Sequence, residues 1–123
     1  MRQVITVAFI WVLLVISAKA VRELVEIEEP QPAQQVEGFV LDPSGAPIEG
    51  MTVTDRSEEW GTLLRSTTTD KRGQFRFSPQ PNKTVYYLRF DHALFNPLQL
   101  KLKLDKKTRN RAITAITEAP IGG

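Results

Sequence analysis

His92 is the single histidine of this chain, and no cysteine occurs among its 123 residues. A nucleophile–base pair, or a zinc site of the usual ligand types, therefore has almost nothing to draw on. His92 follows Asp91 at the end of an alternating apolar segment, where an imidazole reads as a solvated or hydrogen-bonded loop group. Carboxylates are more plentiful: Glu58 and Glu59 are adjacent, and Asp42, Asp70 and Asp91 stand at turn-like positions. Turn aspartates normally accept backbone hydrogen bonds, and a calcium site would need several of them to converge. The sequence thus predicts a non-enzyme with no catalytic residue, cofactor or metal. Its chemistry is that of recognition, and the candidate ligand-binding set is Trp60, Glu58, Glu59 and Tyr87. An exposed Trp60 beside two carboxylates, with Tyr87 facing outward, could stack on a sugar while polar neighbours fix its orientation. The competing role for Trp60, and the favoured one, is to cover an open edge of the core.

Charge narrows the partners. The formal net charge is +2, but Arg2 and Lys19 lie in the first twenty residues, so the remainder is close to neutral. Residues 22 to 49 are acidic, with Glu23, Glu26, Glu28, Glu29, Glu37, Asp42 and Glu49 against Arg22. Residues 101 to 111 are basic, with Lys101, Lys103, Lys106, Lys107, Arg109 and Arg111 against Asp105. The basic run reads as the solvated face of a strand followed by a hairpin loop at Lys106-Lys107, and such lysines also guard sheet edges. Nucleic acid is not an expected partner; an unidentified protein or a glycan is.

The N-terminus has the layout of a secretory signal peptide. Arg2 supplies the positive end, Val4 to Ile16 is uncharged, and Ser17-Ala18-Lys19-Ala20 ends in small residues, which predicts cleavage after Ala20. The alternative is an N-terminal membrane anchor, for which the run falls short of the roughly 20 apolar residues a spanning helix needs. A secreted or periplasmic location is expected, and a cysteine-free domain there must be stabilised by its core.

The elements that would position these residues are short strands. Residues 21–35 read as an acidic linker, rich in Glu and Gln and interrupted by Pro30 and Pro32, with a short helix allowed over Val21 to Glu28. From Val36 on, turn signals recur at the spacing of an all-β sandwich or barrel. Strands are expected over about Val36–Leu41, Ile48–Asp55, Thr62–Thr69, Phe75–Phe77, Thr84–Asp91, Leu98–Leu104 and Ile113–Thr117. Asp42-Pro43-Ser44-Gly45 and Asp70-Lys71-Arg72-Gly73 form tight turns. Tyr86, Leu88 and Phe90 share one face, as do Leu98, Leu100, Leu102 and Leu104, an alternation that gives one buried and one solvated face. Seven strands in so short a stretch imply two packed sheets.

The run from Gly38 to Val53, with its Gly, Asp, Gly, Pro and Gly at fixed offsets, and the run Thr69-Asp70-Lys71-Arg72-Gly73-Gln74-Phe75-Arg76-Phe77 together resemble the carboxypeptidase regulatory-like domain. The resemblance spans about Val36 to Thr117. It implies a seven-stranded, immunoglobulin- or prealbumin-like β-sandwich of Greek-key type over residues 36–118, with a flexible tail at 119–123. It also implies an accessory module acting by protein binding or structural association in the cell envelope, with a carbohydrate-binding module as the alternative. Transthyretin-shaped hydrolases of 5-hydroxyisourate rely on several histidines and a Tyr-Arg-Gly-Ser tail. Here His92 stands alone and the last residues are Ala119-Pro120-Ile121-Gly122-Gly123, so that activity is not implied.

Overall fold

The computed structural model describes residues 21–121, and the expected signal peptide lies outside them. Eight strands form two sheets: β1 (Val25–Ala33), β2 (Glu37–Leu41), β3 (Thr52–Arg56), β4 (Leu63–Thr68), β5 (Gln74–Arg76), β6 (Val85–Asp91), β7 (Leu98–Leu104) and β8 (Ile113–Ile116). The larger sheet has the order β1-β7-β6-β3-β4 and the smaller the order β5-β2-β8. Two pairs are parallel, β1 with β7 and β2 with β8; the others are antiparallel. Among the described residues no helix is long and apolar enough to cross a membrane.

The alternation read from the sequence builds the core. Val53, Tyr86, Leu88, Phe90, Leu98, Leu100 and Leu102 are buried on the inner face of the larger sheet, against Val40, Phe75, Phe77, Ile113 and Ala115 of the smaller side. Phe75 meets Phe90 edge to face across the sandwich, ring centroids 5.4 Å apart. A ring pair of this kind adds specific geometry to ordinary apolar burial.

Three expectations are corrected. The sandwich has eight strands where seven were expected, because much of the stretch read as a linker is strand β1. Its side chains are largely exposed, with Ala33 buried and Ile27 packed against the core, so side-chain burial is the smaller part of what orders it. Order comes from the backbone ladder to β7, which runs from Val25↔Leu98 to Ala33↔Leu104 with an irregularity between Ile27 and Gln31. Pro30 falls inside that irregularity and Pro32 on an edge strand, the places where a residue without an N–H is tolerated. Second, Lys106-Lys107 is not in a hairpin: residues 105–112 carry the chain from β7 in the larger sheet to β8 in the smaller. Third, the outer face of β7 is not uniformly solvated. Gln99 is buried between its register partners Arg89 and Glu26.

The two turns are built alike. Asp42 Oδ1 accepts the amides of Ser44 and Ala46 and the Ser44 hydroxyl; Asp70 Oδ1 accepts those of Arg72 and Gln74. Each turn ends on a glycine with positive φ, 89° at Gly45 and 74° at Gly73. They differ in surroundings. Gly45 faces open space, whereas a Cβ on Gly73 would collide with the Val40 carbonyl. Gly73→Ala is therefore expected to cost about 3 kcal/mol or more and Gly45→Ala about 1 kcal/mol, from backbone strain alone. Urea unfolding checks this, and equal losses at the two positions would contradict the contact.

Candidate functional site

The loop after β3 is folded tightly on itself. Ser57 N donates to the Thr62 carbonyl at 2.9 Å and Thr62 N to Ser57 Oγ at 2.7 Å. Between these closures lies a 3-10 turn, Glu58–Trp60, in which Glu59 and Trp60 have φ of 58° and 62°. Two consecutive non-glycine residues in the left-handed region are unfavourable, about 1 kcal/mol or more each, and persist only where other contacts hold them. Those contacts belong to Trp60. Its ring meets Tyr87 of β6 edge to face, 5.0 Å between centroids and 85° between planes. Its Nε1 donates to Glu26 Oε1 of β1 at 3.1 Å. Since β7 lies between β1 and β6, the indole bridges across the outer face of the larger sheet.

The structure thus brings together all four residues singled out from the sequence. Glu58 and Glu59 are exposed, while Trp60 and Tyr87 are half-buried. Trp60 covers the outer face of a sheet, where covering an end of the core was expected. Glu58 and Tyr87 line a hollow of about 310 Å³ with Lys83 and Val85. Burial, then the charges of Glu58 and Glu59, push the Tyr87 phenol above its ordinary value of 10.0. Sequence reasoning missed Glu26, which sits in the supposed linker, and Lys83, whose place depends on folding.

Several other charged groups are tied into the scaffold. Asp55, on the inner side of β3 and fully buried, accepts from Arg65 Nε at 2.9 Å and faces Lys83 Nζ at 3.7 Å. Arg65 lies over the Phe77 ring, and Lys83 over the Tyr86 ring, each 4.8 Å from the centroid. The Tyr86 hydroxyl accepts the Gln80 amide and donates to the Lys83 carbonyl. His92 Nδ1 accepts the Leu94 amide at 3.1 Å and its ring packs on Phe95; Asp91 pairs with Arg89. The Ser44 hydroxyl, followed by the turn amides, holds the Asp42 carboxyl below its usual range. Among the described residues no three His, Cys, Asp or Glu side chains are grouped to hold a metal.

A second surface, also missed from the sequence, lies on the outer face of the smaller sheet. Phe39 of β2 is half-buried there, between its register partners Gln74 and Thr114. Next to it the buried Glu37 accepts from Gln74 Nε2 at 3.1 Å and Arg111 Nε at 3.2 Å. Arg72 and Arg109 complete the rim of a shallow hollow of about 640 Å³. The alternation Glu37-Gly38-Phe39-Val40 already turns Phe39 outward. The arginines come from separate loops, and only the fold gathers them.

The Trp60 cluster gives a titration to measure. Glu58→Gln with Glu59→Gln removes the two negative charges near Tyr87, so phenolate forms more easily and the Tyr87 pKa falls. It should remain above 10.0, because burial is the larger cause. Ring-labelled NMR titration separates Tyr87 from Tyr86, and an unmoved Tyr87 pKa would contradict the placement. By linkage, a raised folded-state pKa contributes stability that is present below the ordinary tyrosine value and lost as pH rises through the folded one.

A family model of the carboxypeptidase regulatory-like domain matches residues 35–117. That span contains β2 to β8 and excludes β1. No curated protein matches the chain. Two packed sheets, paired Asp–Gly turns and a family match over most of the sequence lead to one conclusion: this chain belongs to the carboxypeptidase regulatory-like domain family.

Proposed function

We propose that the protein is an exported, non-catalytic module that works by binding an acidic protein segment on the outer face of the smaller sheet. The observation that carries this reading is the half-buried Phe39 ringed by Arg72, Arg109 and Arg111. Aromatic and arginine side chains are the types that concentrate binding energy in protein interfaces. Guanidinium groups take carboxylates in a bidentate grip that lysine cannot reproduce. Glu37 holds Arg111 by its Nε, which fixes that guanidinium before a ligand arrives. Export rests on the signal-peptide layout of residues 1–20, and the accessory role on family membership.

A glycan reading draws on the convergence of Trp60, Tyr87, Glu58, Glu59 and Lys83. It is the weaker of the two, because the indole N–H already donates to Glu26 and the ring packs against Tyr87. Protein association requires no such release at the Phe39 face.

Calorimetry against Asp- and Glu-rich peptides tests the proposal. Salt-sensitive binding is expected, weakened about tenfold or more, or 1.4 kcal/mol, by Arg72→Glu with Arg109→Glu. Equal affinity in the wild type and the double variant would overturn it.

A further inference from the structure

At one end of the sandwich β2 begins, β5 and β7 end, and the link from β1 to β2 crosses from the larger sheet to the smaller. Val36, Phe77, Pro79 and Leu104 line a hollow of about 680 Å³ there, together with the exposed Arg76 and Lys106. Small-molecule sites are of this order, about 300–1,000 Å³, and combine an apolar lining with a few placed polar groups. The walls are fixed by backbone bonds. Phe77 N donates to the Val36 carbonyl at 2.8 Å, Leu104 N to the Thr84 carbonyl at 2.7 Å and Asp105 N to the Ala33 carbonyl at 2.9 Å. The amides of Gln34 and Gln35 donate to the carbonyls of Asn110 and Arg111.

The charge of this hollow has one sign. None of the residues lining it is acidic, whereas the hollows at Tyr87 and Phe39 include Glu58 and Glu37. Arg76 and Lys106 form no ion pair among the described residues. The carboxylates beside them in the fold are engaged elsewhere. Glu37, the register partner of Arg76, accepts from Gln74 and Arg111, and Asp105 Oδ1 accepts the Lys107 amide. The lining amides of Phe77 and Leu104 are likewise taken, so the apolar part of the hollow suits a tail with no polar group.

We propose that this hollow binds a small amphipathic acid, an alkyl chain ending in a carboxylate. The chain lies against Val36, Phe77, Pro79 and Leu104, where its apolar surface leaves water. The carboxylate meets Arg76 and Lys106: a guanidinium offers the planar two-donor grip that carboxylates take, and the ammonium adds a second positive charge. Head and tail are both needed. Exposed cations hold a carboxylate weakly by themselves, and apolar burial alone does not select the sign of a charge. This site is separate from the Phe39 face and does not depend on it.

Decanoate, kept below its micelle-forming concentration, is the probe, and amide NMR of the purified protein locates it. Saturable shifts are expected at Gln35, Val36, Phe77, Ser78 and Lys106, with a dissociation constant of about 1 mM or tighter for a ligand of this size. Acetate, the head without the tail, and decylammonium, the tail with the opposite charge, should leave these amides unmoved at equal concentration. Arg76→Gln with Lys106→Gln should weaken decanoate about tenfold, the loss of roughly one charge-assisted hydrogen bond. Its unfolding midpoint should be unchanged, since neither side chain is paired. Arg72→Glu with Arg109→Glu should bind decanoate like wild type, so failure here is distinct from failure of the acidic-segment reading. Absence of saturable shifts, shifts centred on the Phe39 face, equal binding of decylammonium, or equal affinity in the Arg76 and Lys106 variant would overturn the proposal. An Asp- and Glu-rich peptide that occupies the hollow more tightly than decanoate would overturn it too.

Discussion

The hydroxyl of Thr69 joins two stretches of chain that pass between the sheets. Buried, it accepts the Met51 amide at 2.9 Å and donates to the Ile48 carbonyl at 2.6 Å. Thr69 N donates to the Met51 carbonyl, Val40 N donates to the Gly73 carbonyl, and Ile48 N to the Val40 carbonyl. The connection from β2 to β3 and the connection from β4 to β5 are thereby knitted side by side. Each crosses from one sheet to the other, so this junction sets how the sheets face. An unsatisfied buried amide or carbonyl here would cost about 1–3 kcal/mol, which explains a hydroxyl at a position that could hold an apolar residue. Gly73 belongs to the same junction, since any side chain there would meet the Val40 carbonyl.

With the crossovers fixed, the ionised groups fall into two populations. Asp55, Arg65 and Lys83 make a buried polar end with Tyr86 and Phe77, and Asp42, Asp70 and Asp105 brace turns. These serve the fold. The outer face around Phe39 and the Trp60 bridge lie apart from these groups.

What could be read from the sequence was local. Asp-Pro-Ser-Gly and Asp-Lys-Arg-Gly announce their turns because the aspartate bonds amides two and four residues on. The alternation in β6 and β7 marks the core face for the same reason. What escaped depends on residues far apart in the chain. β1 is ordered by its backbone pairing with β7, which no side-chain pattern records, and its prolines and glutamates spoke for a linker. The burial of Asp55 required Arg65 and Lys83, from different elements. Trp60, Tyr87, Glu58 and Glu59 were legible as a group of recognition-type residues. The hydrogen bond to Glu26 was not, because it spans two segments that meet only through sheet order. The Phe39 surface escaped for the same reason: its arginines come from the turn before β5 and the crossover before β8.

Native-state hydrogen exchange tests the central claim, that the Thr69–Gly73 junction governs the sandwich. The amides of Val40, Ile48, Met51 and Thr69 should exchange only through global unfolding, with protection that falls in step with global stability as denaturant is added. Those of Glu26 and Ile27 in the added edge strand should exchange through local opening and show lower protection. Junction amides exchanging as fast as those of β1, by an opening insensitive to denaturant, would contradict the account.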